Sequence, residues 1–220
     1  MKIHILGKCN STISYKLDAL YESYKCTCTI NIIQNIATEE TPSYRLEKIE
    51  GFEYNIINDS DWEGNFENLI MGVTGPSTMK KVYDSFLKSH KIIESDYFTL
   101  VHPSSVISKQ SEIGTGVFIG PGAIIAPYVT LDNLVTINRG VTVGHHANIG
   151  KFVVLNPGCN IGGASKIGDY STIGMGANII NSSSVGKNTV IGAGSLVTKA
   201  IPDNVIAYGV PARIIKENNK

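Results

Sequence analysis

The stretch that decides the fold runs from Val135 to Gly168 and reads VTINRGVTVGHHANIGKFVVLNPGCNIGGASKIG. Ile137, Val143, Ile149, Leu155, Ile161 and Ile167 recur in it at every sixth residue. Extended both ways, the same register finds an aliphatic residue at all seventeen steps from Val101 to Val197. The residue after each is Gly nine times, with Asp132, Asn138 and Asn156 among the others. These types enter left-handed backbone conformations most easily, so this position is expected to form a corner. Two residues before each aliphatic stands a small or β-branched residue, as at Ala123, Val141, Cys159 and Ser171. A period of six matches neither a helix nor the alternation of a sandwich. It describes a short strand and a bend; three such units close a triangular coil of about 18 residues, and stacked coils bury one aliphatic column.

Composition divides the chain at the start of this repeat. Of 220 residues, the first hundred hold 14 of the 19 acidic groups and 5 of the 22 glycines, and their formal charge of −4 balances +4 in the remainder. A neutral total with dispersed Lys and Arg argues against a nucleic-acid binder. No apolar run approaches the length of a membrane span, and MKIHILGK is too short for a secretory signal, so a cytoplasmic protein is expected. Cys9, Cys26, Cys28 and Cys159 include one C-x-C pair without the further ligands of a structural zinc site, which favours reduced thiols and no metal.

Residues 1–100 read as a small parallel α/β domain. KIHIL, TINII, NLIMGV and YFTLV suit strands, and NSTISYKLDALYESYK and PSTMKKVYDSFLKSH suit helices, the second of them capped. Ligands of such sheets lie beyond the strand carboxyl ends, here near Gly7 to Ser11 and Gly72 to Ser77. GKCNST lacks the dinucleotide fingerprint G-x-G-x-x-G. Residues 101–200 form the solenoid, and 201–220, including the Gly-x-Pro-Ala-Arg of Gly209 to Arg213, are expected to cap it.

The pattern [Ile/Leu/Val]-Gly-x-x-small-x resembles the hexapeptide repeat of left-handed parallel β-helix acyltransferases. With a Rossmann-like domain ahead of it, the whole chain resembles the bacterial sugar O-acyltransferase family, which includes sialic-acid O-acetyltransferases and N-acetyltransferases of nucleotide-linked amino sugars. That resemblance implies left-handed coiling, a homotrimer with active sites between subunits, acetyl-CoA as co-substrate lying along the solenoid, and a nucleotide-sugar substrate held by the first domain. It implies nucleotide contacts at Cys9, Asn10 and Ser11, although Asn10 and Ser11 serve equally well as caps of the following helix.

In this family Asn, six residues and His precede an acidic residue; here they are Asn138 and His145, followed by His146. The resemblance implies that His145 is the general base, Asn138 a substrate contact and the Gly163 N–H, one coil further on, the oxyanion donor. It likewise implies that Gly174, Met175 and Ala193 line the coenzyme arm, and that Val154 lies near the thioester where relatives often carry a second histidine. Strand alternation predicts that His145 and His146 point to opposite faces and share no metal. The expected activity is acetyl-CoA-dependent N-acetylation of a nucleotide-diphosphate-linked amino-deoxy sugar in surface-glycan biosynthesis. The alternatives are O-acetylation of a sugar hydroxyl and a non-enzymatic scaffold.

Overall fold

The structure is a computed structural model and describes residues 2–24, 28–35, 52–64 and 67–219. Cys26 lies outside the described residues; Cys9 and Cys159 are free thiols.

The first domain contains β1 (Lys2–Leu6), α1 (Asn10–Tyr24), β2 (Cys28–Gln34), β3 (Phe52–Asn58), β4 (Leu69–Met71) and α2 (Pro76–His90). The sheet is parallel, in the order β3-β2-β1-β4. Ile5, Leu6, Ile30, Ile32 and Ile33 are fully buried, as continuous apolar strands covered on both faces require. α1 buries Ile13, Leu17 and Leu20, and α2 buries Met79, Val82 and Phe86, each at helical spacing. Gly75 supplies no side-chain cap to α2; the capped end is the C-terminal one, where Lys91 adopts φ 63° and its N–H bonds the carbonyls of Phe86 and Leu87.

YFTLV is not a strand of this sheet. Tyr97 makes one bridge to Leu69, after which Leu100–Val101 pairs with Phe118–Ile119 as the first rung of the solenoid. The segment stitches the two domains together. β3 was not expected, because its residues alternate irregularly between buried and exposed at the sheet edge.

Seventeen two-residue rungs follow, from Leu100–Val101 to Leu196–Val197, and the first fourteen each pair in parallel with the rung 18 residues on, as in Thr136↔Val154 and Ile137↔Leu155. They form three faces. The docked face carries Phe118, Thr136 and Val154, the open face Ile124, Thr142 and Asn160, and the polar face Thr130, Asn148 and Lys166. The aliphatic column is buried, with Val117, Ala123, Val141, Cys159 and Ser171 beside it inside. The buried hydroxyls of Ser165 and Ser171 donate to the Ile180 and Gly186 carbonyls.

The glycines after each aliphatic are not the left-handed residues. Positive φ falls two positions later, at Gly122, Gly140, His146, Gly158, Ala164 and Gly176 among others. The earlier glycines answer a different constraint. A Cβ at Gly144 would lie 2.6 Å from the Gly163 nitrogen, and one at Gly162 or Gly174 would lie 2.5 Å from the Asn181 or Ala193 nitrogen. Coils stack too closely there for any side chain.

The first domain rests on the docked face. Leu134, Phe152 and Val154 pack with Met79, Val82 and Phe86 of α2, while Leu100 and Phe118 pack with Ile13, Leu17 and Leu20 of α1. At the far end Val205–Gly209 pairs with Val190–Ile191 and turns back into Ala212–Glu217, burying Val205, Ala207 and Ala212 over the column.

Candidate active site

His145 and His146 do not face opposite ways. They occupy a corner rather than a strand, and His146 adopts φ 58°, so alternation does not apply. Their Nδ1 atoms lie 3.1 Å apart with the rings near-perpendicular, and the His146 ring also packs against Tyr128 at 4.8 Å. One Nδ1 must donate and the other accept. With His145 donating, its Nε2 keeps the lone pair a base needs, and His146 takes the orienting position where the family pattern has a carboxylate.

Gly163 lies directly beneath His145. A Cβ on Gly163 would sit 2.7 Å from His145 Nε2 and 2.8 Å from Cε1, so only glycine lets the ring lie there. The Gly163 N–H, however, donates to Asn181 Oδ1 at 2.9 Å. The same stacked contact joins Thr115 N–H to Asn133 and Lys151 N–H to Asp169. The amide expected to bind the oxyanion is therefore a rivet between coils. Asn181, which accepts through Oδ1, keeps two Nδ2 protons for another acceptor. It stands one coil beyond Gly163, so the 18-residue register that joined His145 to Gly163 leads to it after one more step.

His145, Gly163 and Asn181 share a groove of about 470 Å³ on the open face with Ile124, Thr142 and Asn178. Its floor carries a hydrogen-bonded ladder from Thr142 through Asn160 to Asn178. Asn138, Gly174, Met175 and Ala193 lie on the other edge of the open face, at the corner shared with the docked face. Met175 and Ala193 are exposed there. Val154 is elsewhere: it is 3% exposed on the docked face beneath the first domain, packed with Phe152 and the α2 cluster, and does not line the groove.

Asn138 donates from Nδ2 to the Leu155 carbonyl, and Asn156 repeats the contact with Ile173, so both bind successive coils together. Asn138 nevertheless borders a second cavity, of about 330 Å³, with Ser11, Thr12, Lys16, Thr74, Thr136 and Arg139. Two of the expected substrate contacts, Ser11 and Asn138, thus meet across the domain seam. Cys9 precedes α1, and its thiol lies near the hydroxyls of Ser11 and Thr12, whose hydrogen bonds leave its pKa lowered against the opposing effect of burial. α1 starts at Asn10, and the Ile13 N–H bonds the Cys9 carbonyl.

Among the described residues, no three His, Cys, Asp or Glu side chains group as a metal site, and no helix is long and apolar enough to cross a membrane. Lys16, Arg139 and Asn181 are the additional candidates. Lys16 was legible as the polar member of α1's apolar stripe, three residues after Ile13 and four before Leu20.

The family model for the bacterial transferase hexapeptide (six repeats) matches residues 164–199. No curated protein sequence matches the chain. Among solved structures, a histidine-to-asparagine variant of perosamine N-acetyltransferase from Caulobacter crescentus, in complex with CoA and GDP-perosamine, superposes with a TM-score of 0.75 at 23% identity, covering 98% of this chain and 97% of that one. The acetyltransferase domain of PglB from Neisseria gonorrhoeae, in complex with acetyl coenzyme A, gives 0.77 at 22% identity over 97% and 98%. WeeI from Acinetobacter baumannii gives 0.74 at 20% identity over 98% and 100%. The chain carries the transferase hexapeptide repeat and, end to end, shares their fold: a small parallel α/β domain followed by a left-handed parallel β-helix.

Proposed function

We propose that this protein is an acetyl-CoA-dependent N-acetyltransferase of a nucleotide-diphosphate-linked amino-deoxy sugar, serving surface-glycan biosynthesis. The observation that carries the proposal is the His145 imidazole, laid on Gly163 at the wall of the open groove with its Nδ1 paired to His146. The ligands named for the similar structures, CoA with GDP-perosamine and acetyl coenzyme A, supply the substrate class.

The amine attacks the thioester carbonyl, His145 Nε2 takes the proton the nitrogen loses, and collapse of the tetrahedral intermediate expels the CoA thiolate. Transfer is direct, without an acyl-enzyme. Charge develops on the carbonyl oxygen, which needs a donor already in place. The Asn181 Nδ2 protons fill that role, since the Gly163 N–H is held by Asn181 Oδ1. Gly163 contributes by leaving room for the base. The coenzyme arm follows the corner of Gly174, Met175 and Ala193, and the acceptor occupies the cavity of Ser11 and Asn138, with Cys9 at its approach; the side chain of Asn10 lies outside the described residues.

Within one chain the base and the acceptor cavity flank opposite edges of the open face. Val106 and Ile124 on that face are 63% and 48% exposed. A trimer that covers them sets the His145 edge of one copy against the acceptor edge of the next, which makes the active site intersubunit.

A CoA-release assay over uridine-, thymidine- and guanosine-diphosphate amino sugars, free sialic acid and simple hydroxyl acceptors tests the reading. Turnover is expected with a nucleotide-linked amine. Turnover confined to hydroxyl acceptors would replace it with O-acetylation, and turnover with none would remove both.

A further inference from the structure

We infer that the seam cavity between α1 and the solenoid is an anion site, in which Lys16, with Arg139 at the rim, grips the diphosphate of the acceptor. This inference rests on the nucleotide-sugar reading above for the identity of the anion, and on the geometry alone for the site.

Lys16 is 2% exposed, on the stripe of α1 that also buries Ile13, Leu17 and Leu20. Its ammonium donates to the Met71 carbonyl at 2.6 Å and lies 5.2 Å from the centre of the Phe118 ring. No carboxylate among the described residues bonds it. An ammonium has three N–H donors, so the carbonyl and the ring leave part of its donor capacity and all of its charge without a partner. A lysine is not needed to fill this position: methionine packs the same volume with no desolvation cost, and a buried charge without a counter-ion destabilises a fold. What singles out the site is that the ammonium borders an open cavity of about 330 Å³ rather than closed packing.

The rest of the lining is suited to the same ligand. Thr12 and Thr74, whose hydroxyls lie 3.4 Å apart, Ser11 and Thr136 offer donors, Arg139 adds a second cation, and no acidic side chain lines the cavity. A phosphate-bearing group meets two positive charges and several hydroxyls, and its negative charge supplies what Lys16 lacks. The diphosphate of CoA has the same chemistry. The cavity is assigned to the acceptor because Ser11 and Asn138 border it, while the corner positions given to the coenzyme arm, Gly174, Met175 and Ala193, do not.

Burial lowers the Lys16 pKa to about 7, with Cys9 opposing the shift. The titratable or charged groups around it are Cys9 just before α1, Tyr15 on α1 and Arg139 on the solenoid. An anion beside the ammonium restores its charged form, so binding at pH 8 draws a proton from the buffer.

The experiment is isothermal titration of the full-length protein with inorganic pyrophosphate, uridine diphosphate, guanosine diphosphate and CoA, in two buffers of different ionisation enthalpy. Wild type is expected to bind pyrophosphate and at least one nucleoside diphosphate in mutual competition, with proton uptake for the nucleotide at pH 8. Lys16→Met is expected to weaken both by about 10- to 100-fold and to abolish the proton uptake. Its affinity for CoA and its thermal midpoint should stay level or, for the midpoint, rise. Arg139→Gln, on an exposed corner, is expected to weaken both anions without altering the fold. Unchanged anion binding in both variants, no pyrophosphate binding by wild type, or a loss of CoA affinity parallel to that of pyrophosphate would overturn the assignment. Failure of acetyl transfer with every nucleotide sugar, alongside Lys16-dependent pyrophosphate binding, would remove the proposed activity and leave the anion site standing.

Discussion

At the scale of single residues, the site depends on one pair of imidazoles and one missing side chain. Replacing His145 by Ala removes the proposed base and is expected to lower kcat by about 10²- to 10⁴-fold, with little change in the affinity for acetyl-CoA. Gly163→Ala places a methyl 2.7 Å from His145 Nε2 and should lower kcat through displacement of the ring. Asn181 offers a more discriminating test. Asn181→Asp keeps the acceptor for the Gly163 N–H but loses the Nδ2 donor and adds negative charge where the oxyanion forms. Asn181→Ala removes the donor yet frees the Gly163 N–H to replace it. The aspartate variant should therefore be the slower in single-turnover assays, and equal rates would return the oxyanion role to Gly163. A separate prediction concerns His4, which is 2% exposed in β1 with neither ring nitrogen bonded, and whose pKa is lowered first by burial and then by Lys2. Burial disfavours the charged imidazole in the fold relative to the unfolded chain, where a histidine protonates near pH 6.5. Its contribution to stability is thus present above that pH and is lost as pH falls toward the depressed folded pKa, by up to about 1.4 kcal/mol per pH unit. Denaturant midpoints should decline between pH 7 and pH 5 in wild type and less so in His4→Phe. His145 and its distance from Gly163 were legible in the sequence, because the coil length converts spacing into stacking. The meeting of His145 with His146 was not, since it depends on a left-handed histidine in a corner.

Among the elements, the hexapeptide unit shows what periodicity can and cannot reveal. It located every rung, but a regularly placed glycine has two physical causes that leave the same mark in a sequence. One is positive φ, as at Gly158, where φ is 68° and a Cβ would meet nothing within 4 Å. The other is close stacking, as at Gly168, where a Cβ would lie 2.6 Å from the Lys187 nitrogen. Leu134, His146, Phe152 and Tyr170 all tolerate the left-handed position, so conformation alone does not demand glycine there. Alanine at Gly158 is accordingly expected to cost about 1–2 kcal/mol of backbone strain. Alanine at Gly168 must push two coils apart and should cost about 3 kcal/mol or more. Thermal or chemical denaturation of the two variants ranks them; the reverse order would show that conformation, not spacing, selects these glycines. The first domain was less legible for a related reason. β1, β2 and the two helices have strong one-sided or continuous apolar patterns, whereas edge strand β3 has neither, and YFTLV divides its pairing between two sheets.

For the whole molecule, the decisive relation is between the two edges of the open face. His145 and Arg139 are six residues apart across that face, which an extended chain spans in at most about 20 Å. The proposed base and the proposed acceptor cavity of one chain thus lie at neighbouring corners of that face. A sequence can assign both to the same reaction, because register and motif depend only on position along the chain. Which copy of each would be used depends instead on what covers the face that Val106 and Ile124 leave apolar and open. Two measurements separate an intersubunit site from a site within one chain. Val106→Asp, at an exposed position of that face which lines neither the His145 groove nor the seam cavity, should dissociate the proposed trimer in sedimentation and abolish turnover together. Mixed assemblies are more direct. His145→Ala chains, without the proposed base, and Lys16→Met chains, impaired at acceptor concentrations well below saturation, should regain activity under those conditions when refolded or co-expressed together if base and anion grip come from different copies, because some interfaces then pair two intact halves. If both groups served within one chain, every site in the mixture would still carry one defect and no activity would return.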